Sequence, residues 1–189
     1  MEKTIKGKKK IIGIASAIIL SGYFFLPSSA SADPFGTHTD VTGPKANGSN
    51  HTWCEYMVNW IPSWFDPFDD AMTYLDTHTD MTTTRVYPCT TSTDILYSVQ
   101  YSKDLGANTR GLSWCFNFNV ALQVCNSSFV ALNGDLLSTY TQRRKTSCHE
   151  IGHTVGLSHA DTGDDCMISG NYGYAGYNPH HTLHINSAY

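Results

Sequence analysis

The sequence predicts a mixed α/β domain of the α+β kind, and three observations carry that expectation. A stretch of helical period near residue 70 comes first, short β-prone runs bounded by turn residues follow between residues 94 and 136, and helical stretches close the chain. Helix, then strands, then helix is the order of an α+β domain rather than of a regularly alternating parallel fold.

The chain of 189 residues opens with a segment to be set aside. MEKTIKGKKK is basic, IIGIASAIILSGYFFL is apolar and PSSASA ends in small residues, the pattern of a secretory signal peptide. Ala30 and Ala32 meet the small-x-small rule, so the signal peptide is expected to span residues 1–32 and the mature chain to start at Asp33. The apolar run falls short of the roughly 20 residues that a membrane-spanning helix needs. The leader holds five of the twelve basic residues and one of the sixteen acids, so the remainder is more acidic than the whole chain's net charge of −4. That excess argues against nucleic acid and against an anionic membrane surface as partners.

Residues 33–52, rich in Gly, Pro, Thr and Asn, are expected to form a flexible N-terminal segment, and residues 53–189 a single domain. The aromatic run after it, with Trp53, Trp60 and Trp64, reads as core. In FDPFDDAMTYLDTH the apolar Phe65, Phe68, Met72 and Leu75 recur at spacings of three and four, which predicts a helix with one buried face. DILYSVQYS and SSFVALNGDL read as strands, and SWCFNFNVALQVC as a hairpin or a pair of strands. From Tyr140 the chain is helical in pattern up to Gly156, a residue suited to the positive φ that ends a helix. Asn178 as N-cap and Pro179 at the first helical position open a short terminal helix.

All six cysteines lie beyond the leader, and export would place them in an oxidising compartment. Six cysteines allow fifteen pairings. The expected pairing is Cys54 with Cys89, Cys115 with Cys125 and Cys148 with Cys166, against the alternative of free buried thiols.

The stretch CHEIGHTVGLSHADTGDDCM, residues 148–167, holds the chemistry. His149 and His153 are four apart, so a helix projects both imidazoles from one face toward a single ion. Glu150 sits beside the first of them, where a base for a metal-held water belongs, and the turn at Gly156 lets His159 arrive as a third ligand. Three neutral histidines leave one position of a zinc ion open, the mark of a catalytic rather than a structural site.

HEIGHTVGLSH fits HExxHxxGxxH at five fixed positions, which chance would place in such a chain less than about once in ten thousand; a polar surface helix with unrelated histidines is therefore the weaker reading. With Met167 eight residues beyond His159, the stretch resembles the metzincin metallopeptidases, most closely the matrixin-like branch in a bacterial-type secreted form. The resemblance implies a zincin fold: a twisted mixed sheet, an active-site helix and a small C-terminal subdomain ending in a helix. It implies a secreted zinc endopeptidase with one catalytic zinc on His149, His153 and His159, Glu150 as general base and Met167 as the apolar floor. The substrate would be protein or peptide, lying antiparallel to an edge strand for which FVALNGD, residues 129–135, is the candidate. The molecule would be a monomer without stable membrane association once the leader is removed.

The chain departs from matrixins after the methionine, where ISGNYGY replaces the usual proline and tyrosine, so side-chain specificity does not carry over. Ser169 stands where astacin-like and serralysin-like relatives place a tyrosine, and the lead-in holds no cysteine for thiol-based latency. Asp161, Asp164 and Asp165 offer a calcium site, although a turn rich in Asp and Gly needs no ion. His180, His181 and His184 read as residues of the terminal helix, and Tyr172, Tyr174 and Tyr177 as structural side chains or pocket walls. Two other readings stay open: a catalytically inactive zinc-holding binding or adhesion module, and metal-dependent hydrolysis of a non-peptide substrate.

Overall fold

Trp53 builds a strand. In the computed structural model, which describes residues 44–56, 62–160, 163–170 and 173–189, β1 (Asn50–Glu55) buries His51 and Trp53 on one face and Cys54 on the other. The signal peptide at 1–32, Asp33, Trp60, Asp161 and Tyr172 lie outside the described residues. Upstream of β1, the buried Ala46 bridges Cys125 and is tied to the chain's far end, its N–H donating to the Tyr189 hydroxyl at 2.8 Å. Residues ahead of 53 are thus tied into the described domain.

The amphipathic helix follows as α1 (Pro62–His78), with Phe68, Met72 and Leu75 fully buried and Phe65 packed at the margin. After it come β2 (Thr82–Arg85), β3 (Ile95–Gln100), the single turn α2 (Ser102–Leu105), β4 (Gly111–Asn119) and β5 (Val124–Asn133). The sheet order is β2-β1-β3-β5-β4, parallel except for the antiparallel β4–β5 pair, which makes it a five-stranded mixed sheet. β2 is a polar Thr-rich strand with no buried residue, so its sequence lacks the apolar alternation by which strands are recognised.

The candidate edge strand FVALNGD is not at an edge. FVALNGD lies mostly in β5, and β5 is an interior strand with β3 on one side and β4 on the other, so its backbone is already paired. SWCFNFNVALQVC is the hairpin, and its first arm, β4, forms the edge. The burial explains the order: β5 is almost continuously buried, as an interior strand must be, whereas β4 alternates half-buried with exposed positions.

α3 (Tyr140–Thr154) and α1 cover one face of the sheet. Trp53, Ile95, Tyr97, Val130 and Leu132 meet Phe68, Met72, Leu75 and Ile151 in a single core, each fully buried side chain stabilising by about 1.5–3 kcal/mol. α3 starts on a capping box: Thr139 accepts from the Gln142 N–H, and Gln142 answers the Thr139 N–H. Arg143 locks this start to α1, its guanidinium 4.1 Å from the Trp64 ring centre and donating to the Ser63 carbonyl at 2.8 Å. The terminal helix α4 (Pro179–Ala188) opens as its sequence requires, with the Asn178 side chain accepting from the His181 N–H.

His51 ties β1 to the last turn of α3. The Thr154 hydroxyl spends its proton on the Ile151 carbonyl at 2.7 Å, so at the 2.9 Å contact between them the His51 Nε2–H donates and Thr154 accepts. Burial holds the His51 pKa down at about 4, against the opposing pull of Asp94. Between pH 6.5 and about 4 the unfolded chain therefore binds a proton that the folded chain refuses. We expect this contribution to stability to be complete above pH 6.5 and to be lost as pH falls toward 4; an NMR titration placing the His51 imidazole at its ordinary value would contradict it.

Candidate metal centre

α3 carries His149 and His153 one turn apart, and the way the helix ends brings His159 back to them. Gly156 takes φ 91°. The Leu157 N–H donates to the Gly152 carbonyl at 2.9 Å and the Gly156 N–H to the His153 carbonyl at 3.2 Å, the paired bonds of a Schellman ending. The three imidazole ring centres then lie 4.7, 4.9 and 5.0 Å apart, close to an equilateral triangle. One nitrogen of each lies within 4.8 Å of the others, so His149, His153 and His159 form a cluster that could hold a metal ion.

The chemistry of the donor set fits a cation. His149 Nδ1 lies 2.9 Å from the Cys166 carbonyl and His153 Nδ1 lies 2.8 Å from the Leu157 carbonyl. A carbonyl only accepts, so each Nδ1 carries the proton. Burial lowers both imidazole pKa values, His153 to about 4, and keeps the rings neutral. Each Nε2 then presents a bare lone pair, and the two face each other at 3.2 Å. Two acceptors at that distance repel unless a cation lies between them. Neutral imidazoles, each fixed in tautomer by a backbone carbonyl, are what a zinc site uses.

Glu150 lies beside this triangle with its carboxyl buried. Burial raises its pKa to about 7, with a hydrogen bond from Ser113 and the Lys145 charge pulling it down. Gly111 admits the carboxyl against the edge strand: a Cβ there would stand 2.6 Å from Glu150 Oε1 and 2.7 Å from the Thr146 methyl. Residues 111–115 of β4, with His149, Glu150, His153 and His159, line a cavity of about 330 Å³. Sequence reasoning missed Gly111 and Ser113, which lie over thirty residues upstream with no motif of their own. Lys145 could have been found, because it stands four residues ahead of His149 on the same helix face.

The far wall is held by the segment before α4. All three expected disulfides form, Cys54–Cys89, Cys115–Cys125 and Cys148–Cys166. The last joins the residue before His149 to the one whose carbonyl orients His149. Met167 is fully buried against Gly152, which lies between the two helical histidines. Asp165, also fully buried, accepts from the Met167 N–H at 2.6 Å, the Asn178 N–H at 2.7 Å and His181 Nδ1 at 2.7 Å. Those bonds account for its burial without a calcium ion, and Asp164 is exposed. His181 and His184 are buried in α4 and His180 is exposed. Tyr177 is structural, its hydroxyl donating to the Cys148 carbonyl at 3.0 Å, while Tyr174 is exposed.

A methyl group at position 152 would overlap the Met167 sulfur and stand 3.1 Å from the Tyr177 ring. Overpacking of this kind costs about 1–3 kcal/mol, while alanine's helix propensity returns at most about 1 kcal/mol over glycine. Gly152→Ala should therefore lower the melting temperature and weaken metal binding; an unchanged or raised melting temperature would contradict the packing described.

No family model matches the chain, and no curated protein matches it in sequence. Among solved structures, the crystal structure of myroilysin is similar to it at 18% identity, over 61% of this chain and 47% of that one, with a TM-score of 0.42. The chain thus spans less than half the length of that protein.

Proposed function

We propose that this chain is a secreted zinc endopeptidase of the metzincin type, of the matrixin-like branch, with residues 53–189 as its catalytic domain and Asp33 as its mature N-terminus. The observation that carries the reading is the pair of bare imidazole nitrogens facing each other beside a buried carboxyl, at the edge of a sheet. His149, His153 and His159 would hold the zinc, with Met167 buried against Gly152 between the two helical histidines. Bound there, the ion would supply Lewis-acid chemistry and lower the pKa of water.

The rest falls to the chain's own residues. β4 receives the substrate as an added antiparallel strand, its backbone holding the peptide extended over α3. Glu150 takes the proton from the attacking water and returns it to the departing amine. A carboxyl raised to about 7 suits both transfers, since a base that also acts as acid works best near the operating pH. Ser113 and Gly111 hold that carboxyl against the strand on which the peptide lies. The buried surroundings of Glu150 disfavour the reading as an inactive zinc-holding module, because burying a carboxyl is costly and such a module has no use for it.

Glu150→Gln should retain zinc at wild-type stoichiometry and lose at least about a thousandfold in peptide hydrolysis. Wild-type casein digestion should stop on chelation and return on adding zinc. Cleavage that persists in the variant, or that ignores the chelator, would refute the mechanism. Because Glu150 must be deprotonated to act, kcat/KM should fall as pH drops through the range at and below about 7, the bound dication shifting the limb downward. A profile flat down to pH 4 would exclude Glu150 as the base.

A further inference from the structure

Two cavities flank the Glu150 carboxyl, and their chemistries are opposite. Both share Gly111, His149 and Glu150 as walls. The one toward the far end of β4 is lined by Pro44, Leu112, Trp114 and Cys115 and is largely apolar. The other, about 260 Å³, is lined by Arg110, Lys145, Thr146, Asn108 and Ser169, with no large apolar side chain. In a chain with net charge −4 this is a local concentration of positive charge.

Lys145 is the feature that turns this cavity into a selective one. It is 4% exposed, yet it borders the cavity, and its ammonium donates to the Ile168 carbonyl at 2.5 Å. That bond fixes the head group and uses one of its three N–H donors. Burial and the nearby Arg110 charge lower its pKa to about 8, with Glu150 opposing, so the group is still cationic at neutral pH. A buried cation beside an open cavity favours an anionic guest, and a carboxylate there gains a charge-assisted hydrogen bond in a poorly solvated place.

The direction of β4 says which substrate residue enters. A peptide antiparallel to β4 passes over Trp114 first and leaves over Gly111, so the apolar cavity lies on the N-terminal side of the scissile bond and the cationic cavity on its C-terminal side. We propose that the cavity at Lys145 and Arg110 selects an aspartate or glutamate side chain on the residue immediately after the scissile bond, with Lys145 as the specificity-determining group. The inference rests on the peptidase reading and on antiparallel binding along β4. The same charge rejects lysine and arginine at that position.

The test is a set of quenched fluorogenic peptides, identical except for Glu, Asp, Gln, Leu or Lys after the cleaved bond, given to the zinc-loaded protein. Glu should exceed its neutral isostere Gln by at least about tenfold in kcat/KM, and Lys should be the poorest. Lys145→Met should bring the Glu-to-Gln ratio close to one, and Lys145→Glu should move the preference toward Lys. If either variant fails to fold, the wild-type Glu-to-Gln ratio still decides. Equal cleavage of Glu and Gln peptides by the wild type, or a ratio that survives Lys145→Met, overturns the specificity and leaves the peptidase reading standing. No cleavage of any peptide overturns both.

Discussion

The centre depends on two backbone carbonyls, those of Cys166 and Leu157, which hold the Nδ1 protons of His149 and His153 and so turn both Nε2 lone pairs inward. Neither carbonyl belongs to α3. The Leu157 carbonyl is delivered by the Schellman ending of the helix, and the Cys166 carbonyl by a loop tied back through the Cys148–Cys166 disulfide. If either moved, its imidazole would be free to rotate or to exchange tautomers, and the triangle would lose a donor.

That requirement explains the other tight places around α3. Gly152 lets Met167 lie directly against the helix, which keeps the Cys166 carbonyl at hydrogen-bonding distance from the first histidine. Asp165 secures the same loop from below by accepting from Met167, Asn178 and His181, so the start of α4 and the histidine cluster share one anchor. On the opposite side, Gly111 and Ser113 bring the edge strand against Glu150. The carboxyl is thus held between a sheet edge and a helix, with the Lys145 charge moderating the cost of burying it.

Much of this was readable from local pattern. Helical spacing in FDPFDDAMTYLDTH, the turn at Gly156 and the Asn178-Pro179 start of α4 each depend on neighbours within one or two turns of chain, and each formed as expected. β2 was not readable, because a polar Thr-rich strand on a sheet edge carries no apolar alternation. Nor was the position of β5: SSFVALNGDL reads as a strand, but whether a strand is inside a sheet or at its edge depends on which partners pair with it.

By itself, then, the sequence determined what local geometry determines: the three histidines with Glu150 among them, the helix that carries the first two, and the glycine that ends it and returns the chain toward the third. The tertiary structure alone decided which strand stands at the edge, that Gly111 and Ser113 meet Glu150, and that Lys145 and Arg110 share a cavity wall. The reason is distance along the chain. Contacts within a helical turn are written in spacing, whereas a contact between residue 111 and residue 150 exists only once the hairpin has paired and α3 has packed across the sheet.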